Sequence, residues 1–229
     1  MRYNKVSMLV LFLVSFGMIA QEINQVNENG ERTGDWKKHY PNKRLRYEGT
    51  FLDGKEIGVF KFYSMNASLH PVAIKTFSEK PNKAKVQFFT NKGVLESEGM
   101  MAGKLRVGNW LYFHKDGKTI MIEENYVDGL LSGEYKLYYK DTILTRLAHY
   151  VAGELHGSYK QYSDKGILTD DLTYKEGYID GKAVFYEPNG KIKQRGKYKK
   201  DLKVGIWEYY VEGKLVTTKD IDQLKEKKE

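Results

Sequence analysis

The residues able to carry chemistry are few and poorly spaced for catalysis. His39, His70, His114, His149 and His156 fall at unrelated positions. None stands in an H-E-x-x-H pattern or another metal-ligand spacing. His149 and His156 flank one turn and form the one pair worth following. The neighbouring carboxylates Glu123-Glu124 and Asp170-Asp171 point to opposite faces of a strand, so acid–base pairing would need a carboxylate from a distant strand. The absence of cysteine excludes disulfide scaffolds, thiolate nucleophiles, zinc–cysteine sites and cysteine-linked lipids. Nucleophile-elbow, phosphate-loop, dinucleotide and calcium-loop motifs are missing as well. The sequence therefore predicts no enzyme, no metal site and no cofactor.

One array of side chains does recur. Tyr138, Tyr162, Tyr186 and Tyr210 stand at a constant interval of 24. Tyrosine joins a broad apolar ring to a hydroxyl, the combination that protein and sugar ligands meet well. The same pattern also serves as the internal glue of a repeat sheet. With both readings open, these four tyrosines are the candidate binding residues.

The elements that position them share the period. Gly133, Gly157, Gly181 and Gly205 are 24 apart, as are Tyr126, Tyr150, Tyr174 and Tyr198. Gly34 to Gly58 is an interval of 24 and Gly108 to Gly133 one of 25. Gly58 to Gly108 is an interval of 50, two units with one boundary glycine missing. Within a unit, two β-prone runs alternate with Gly/Asp turns, which reads as a hairpin leading into the next. Units are expected at Gly34, Gly58, near Pro81, Gly108, Gly133, Gly157, Gly181 and Gly205, with residues 64–86 irregular. The fold expected is all-β: an elongated single-layer antiparallel meander of about eight hairpin repeats of 24–25 residues, with a propeller or a closed barrel as alternatives. Aromatics at the second position after the glycine (Trp36, Phe60, Trp110, Tyr135, Tyr159, Trp207) and at the fifth (Tyr63, Phe113 and the four candidates) are three apart, which puts the two columns on opposite faces unless a bulge intervenes.

Residues 1–20 read as a secretory signal, with Arg2 and Lys5 before an apolar run from Met8 to Ala20, shorter than a membrane span. Cleavage is expected after Ala20 or Gly17. Residues 21–33 then form a lead-in, 34–216 the repeat domain and 217–229 a charged tail. The placement expected is export: periplasmic, envelope-associated or secreted, with no transmembrane segment after signal removal. The 38 basic and 30 acidic residues are interspersed, densest at Lys75, Lys80, Lys83 and Lys85. This charge predicts solubility and attraction to anionic envelope surfaces rather than nucleic-acid binding.

The unit junction reads Y-x-x-G-x-x-x-G-x-(W/Y/F), as in Tyr126 to Tyr135 and Tyr150 to Tyr159. This resembles the MORN repeat, in the bacterial variant where W-x-x-Y-Y-x-x-G-x-L alternates with Y-x-x-G. Trp36 to Gly58 and Trp207 to Leu215 match it best, and the resemblance covers roughly residues 30–217. Ala183 stands where an aromatic is expected and Asp201 where a glycine is expected. The resemblance implies an extended twisted sheet used for binding and assembly, and some bacterial members carry an antitoxin-like label. The functional expectation is an exported non-catalytic scaffold for a protein partner. Alternatives are an immunity or antitoxin-like inhibitor of a secreted toxin, and a carbohydrate or cell-wall binding module.

Overall fold

A computed structural model describes residues 22–67, 69–77, 83–140 and 142–226. The expected signal at residues 1–20, the expected unit boundary near Pro81 and Lys80 lie outside the described residues. The chain runs as β1 (Gln25–Val26), β2 (Arg32–His39), β3 (Leu45–Leu52), β4 (Lys55–Tyr63), β5 (Pro71–Phe77), β6 (Lys83–Phe89), β7 (Leu95–Ala102), β8 (Leu105–Phe113) and β9 (Ile120–Val127). It continues with β10 (Leu130–Leu131), β11 (Gly133–Tyr138), β12 (Leu144–Val151), β13 (Glu154–Tyr162), β14 (Leu168–Lys175), β15 (Tyr178–Tyr186), β16 (Ile192–Lys199), β17 (Leu202–Val211), β18 (Lys214–Asp220) and a helix α1 (Ile221–Glu226). Each strand pairs antiparallel with its chain neighbour, and the two-residue β10 is the detached start of β11. The result is one open sheet, neither propeller nor barrel. Apart from the short β1 and β10, the sheet is eight hairpins.

The two long edges of this ribbon use different turns for different reasons. Along one edge, Asp53-Gly54, Asp128-Gly129, Ala152-Gly153, Glu176-Gly177 and Lys200-Asp201 all have positive φ at both central residues, the two-residue turn whose twist matches that of the strands. The second turn residue also ties its unit to the one before. Gly54 N–H donates to the Arg32 carbonyl at 2.9 Å, Gly153 to Leu131 at 2.8 Å and Gly177 to Leu155 at 3.0 Å. Asp201, in the glycine position, keeps this bond to the Ile179 carbonyl. Its carboxylate accepts the Ile179 N–H at 2.7 Å, a second bond between the two units that helps hold the turn.

Along the other edge the turns before the last, two-residue Glu212-Gly213 turn are longer, most of them closed in the pattern of Glu187 N–H to the Lys191 carbonyl and Gly190 N–H to the Glu187 carbonyl, both 2.8 Å. The departures from a strict period fall here. One extra residue enters at His114–Thr119 and two between Tyr63 and Pro71.

Within residues 64–86 the extra residues lie between Tyr63 and Pro71, and the described strands that follow are regular. Pro71–Phe77 and Lys83–Phe89 are paired from Ala73↔Phe88 to Phe77↔Ala84 without a break in register. The missing boundary residue is Ala84, which stands one repeat period before Gly108. Elsewhere a boundary glycine with positive φ, such as Gly58 or Gly205, throws extra residues into its strand, so that Glu48↔Lys61 is followed by Thr50↔Ile57. Alanine disfavours that backbone, and the pairing of β5 with β6 stays regular.

A single layer has no second sheet to cover it, and this one builds its core along a central spine on one face. Partners alternate across successive strands: Trp36 and Phe60 flank Gly49, Val86 and Trp110 flank Gly99, Tyr135 and Tyr159 flank Ala148, and Ala183 and Trp207 flank Gly196. Phe60, Val86, Trp110, Ala183 and Trp207 have no solvent exposure at all. Size is complementary along the spine, because the departure at Ala183 is filled by Leu172 directly across from it. Each tryptophan also carries a cation four residues upstream: Arg32 over Trp36 at 5.0 Å, Arg106 over Trp110 at 4.5 Å and Lys203 over Trp207 at 3.8 Å. Such contacts contribute roughly 0.5–2 kcal/mol each, and the long stems of the cations cover the rings.

The described part of the segment read as a charged tail, residues 217–226, is strand and helix. β18 continues to Asp220, whose carboxylate accepts the Asp222 N–H at 3.1 Å at the start of α1. The helix turns back over the last hairpin, and Ile221 packs on the cluster around Trp207. Asp222 stands one repeat period beyond Tyr198, and its carboxylate accepts the Gly205 N–H at 3.0 Å. In the preceding unit the boundary residue Gly181 pairs with Tyr198 of the next strand. At the end of the array, a side chain takes the place of that strand.

Candidate functional site

Register decides which tyrosines share a surface. Tyr138, Tyr162, Tyr186 and Tyr210 each lie three residues after a spine position, on strands β11, β13, β15 and β17 whose own chain is continuous there. They therefore form one column on the face opposite the spine. The structure brings all four together as a row, one tooth for every two strands.

The hydroxyls in this row are not equivalent. Tyr138 donates to Glu123 Oε1 at 3.0 Å, and Tyr210 donates to Glu208 Oε2. Tyr63, at the same phase, donates to Glu48 Oε1 at 2.8 Å. Among the described residues no partner is found for the hydroxyls of Tyr162 and Tyr186. Two of these carboxylates are ion-paired in turn: Glu48 with Lys37 at 3.4 Å and Lys61 at 3.9 Å, and Glu208 with Arg195. The Tyr63 hydrogen bond pulls Glu48 below the usual carboxylate range despite partial burial, with Lys37 and Lys61 adding to it. Burial, then the bond to Glu48, pushes Tyr63 up to about 12. Burial and then Glu123 raise Tyr138 in the same way.

Shallow depressions open on this face where the boundary bulges part the strands. One of about 420 Å³ lies among Lys182, Val184, Arg195, Lys197, Ile206 and Glu208. Another, also about 420 Å³, lies at the same repeat phase near Lys37, Glu48, Val59 and Lys61. The ion pair beside each is reversed: Arg195 with Glu208 in the first, Glu48 with Lys61 in the second. The repeat thus presents one shape with different charge order.

A second column of tyrosines was legible as a register but not as a surface. Tyr126, Tyr150, Tyr174 and Tyr198 lie across from the boundary residues Gly108, Gly133, Gly157 and Gly181. They stand on the spine face, half-buried. Tyr150 meets the Tyr135 ring with centroids 5.8 Å apart, Tyr174 meets Tyr159 at 5.3 Å and Tyr198 meets Trp207 edge-on at 5.2 Å. Tyr126 donates to Glu124 Oε2 at 2.7 Å. No partner is found among the described residues for the hydroxyls of Tyr150, Tyr174 and Tyr198, which burial pushes above the ordinary tyrosine value. The signal that separates the columns is the residue facing each one, which sequence spacing does not contain.

The histidine pair resolves into a backbone contact, His149 Nδ1 lying 3.1 Å from the His156 carbonyl oxygen. Among the described residues no group of three His, Asp or Glu side chains is placed to hold a metal ion. No helix among them is long and apolar enough to cross a membrane.

One hairpin stacked eight times, with each unit bonded to the last, defines a linear repeat protein. A family model described as MORN repeat variant matches residues 32–53 and 179–200, each a strand pair β2–β3 or β15–β16. Those two units are MORN repeats of the variant type, and the other units repeat their hairpin and register. No curated protein matches the chain.

Proposed function

We infer that this chain is an exported, non-catalytic scaffold that holds a protein partner against the face bearing Tyr138, Tyr162, Tyr186 and Tyr210. The reading rests on one observation. The four rings form a single row on the face not used for the core, with Lys–carboxylate pairs alongside and, among the described residues, no partner for the Tyr162 and Tyr186 hydroxyls. Rings with polar tips bordered by charge are the composition of protein interfaces, where tyrosine and arginine anchor binding. Depressions as shallow and open as those on this face suit a flat partner better than a small substrate. Export rests on the charged start and apolar run of residues 1–20.

The test is capture from envelope extract by the purified protein and by a Tyr138→Ala/Tyr162→Ala/Tyr186→Ala/Tyr210→Ala variant, both checked for folding by circular dichroism. One protein retained by the first and lost by the second is the expected result. Equal capture by both would remove the site, and retention on glycan or cell-wall columns without a protein partner would replace the protein reading.

A further inference from the structure

The spine face carries a second, independent row. Tyr150, Tyr174 and Tyr198 sit on alternate strands β12, β14 and β16, so they are two inter-strand spacings apart, about 9.4–9.8 Å. Their rings are fixed by Tyr135, Tyr159 and Trp207, while their hydroxyls have no partner among the described residues. Neighbouring elements bring ordered polar groups to the same surface. Arg146 Nε donates to Gln161 Oε1 at 3.0 Å, and Tyr159 donates to the same oxygen at 3.0 Å.

Three immobilised rings at one pitch, each ending in a hydroxyl that no described residue engages, form a ladder that selects a ligand of matching period. An extended β-strand ligand does not match, since its same-side residues recur about every 6.4–6.8 Å. A polyproline II helix does match. It turns once in three residues at about 3.1 Å per residue, a repeat of about 9.3 Å. Its carbonyls make no internal hydrogen bonds and need donors, which the tyrosine hydroxyls supply. Its rings and methylenes pack on aromatic surfaces, and its stiffness lowers the ordering cost of binding. We propose that the Tyr150–Tyr174–Tyr198 ladder is a docking site for a proline-rich polyproline II segment lying across the strands, every third residue seated at a tyrosine.

The experiment is fluorescence polarisation with a labelled decaproline peptide and, as control, a labelled Gly/Ser peptide of equal length, titrated with the purified protein. The variant Tyr150→Phe/Tyr174→Phe/Tyr198→Phe removes three hydroxyls and keeps every ring, so the sheet stays intact. The variant Tyr138→Phe/Tyr162→Phe/Tyr186→Phe does the same on the opposite face. Decaproline is expected to bind at least tenfold tighter than the control, to weaken at least tenfold in the first variant and to be unchanged in the second. Equal binding of the two peptides, or wild-type affinity in the first variant, overturns the proposal. A loss in the second variant alone overturns it too, and assigns the peptide to the face bearing Tyr162. The capture experiment on that opposite face stands or falls separately.

Discussion

Gly196 lies directly across from Trp207, so close that a Cβ on the glycine would fall 2.4 Å from the Trp207 ring. Gly99 and Trp110 repeat the relation at 2.4 Å, and Gly49 and Phe60 at 2.5 Å. The indole N–H of each buried tryptophan then reaches the carbonyl just beyond its glycine, Met100 at 3.0 Å and Lys197 at 3.2 Å. Those carbonyls sit at the bulges, where the ladder is interrupted. A ring is thereby seated on backbone, and a one-layer sheet acquires fully buried side chains.

Gly196→Ala is expected to destabilise the protein by about 1–3 kcal/mol, the usual cost of overpacking. Equilibrium urea unfolding checks the value. A shift in midpoint too small to measure would mean that the ring moves aside freely.

The complementary exchange tests the same rule in the opposite direction. Ala183→Trp alone overpacks against Leu172, and Leu172→Gly alone leaves a void. The double variant should recover stability with a favourable coupling of roughly 0.5–3 kcal/mol in a double-mutant cycle. Additive losses would show that size matching along the spine is incidental.

Lys43 occupies a left-handed turn position, φ 65°, where several other units carry glycine, as at Gly190 with φ 80°, and one carries Thr142. Lys43→Gly should raise stability by about 1 kcal/mol, the cost of a side chain in that region less the glycine's chain entropy. Thermal unfolding of the two proteins reads it directly.

Asp222 closes the array through the Gly205 N–H. Asp222→Ala is expected to cost about 1 kcal/mol and to loosen the last hairpin before the rest, since repeat arrays open from their ends. Hydrogen exchange should show faster exchange in β17 and β18 with β12 to β14 unchanged.

The bond between Tyr63 and Glu48 gives two pH limits. Glu48 is held below its ordinary value in the folded protein. Its contribution is therefore complete above the usual glutamate pKa of about 4.3 and is lost as pH falls through the lower folded value. Tyr63 is raised to about 12. Its contribution is complete below the ordinary tyrosine value of about 10 and is lost as pH rises through about 12. In Glu48→Gln the Tyr63 ionisation should move down. The difference in tyrosinate absorbance between matched proteins with and without Tyr63→Phe measures the shift.

Much of the architecture was legible because turns and pleats are local chemistry. Asp53-Gly54 and Asp128-Gly129 advertise two-residue turns through the positive φ they permit, and the offset of three between aromatic columns fixes opposite faces through strand alternation alone. The unit boundary inside residues 64–86 was not legible, because no glycine marks it. Ala84 holds the same register without the bulge, and its identity emerges only when Val86 is seen across from Gly99.

Sequence by itself determined the period, the hairpin unit and the all-β class, since the period is a recurrence along the chain and the other two follow from residues within a few positions of one another. Tertiary structure alone decided which tyrosine column would pack its rings against the spine and which would stand on the opposite face. It also decided that Leu172 would replace a missing aromatic at Ala183, and that Asp222 would end the array. Those outcomes depend on cross-strand partners brought opposite one another by register. In a sheet, the burial of a side chain is set by the residue it faces, and that residue is named by pairing rather than by adjacency.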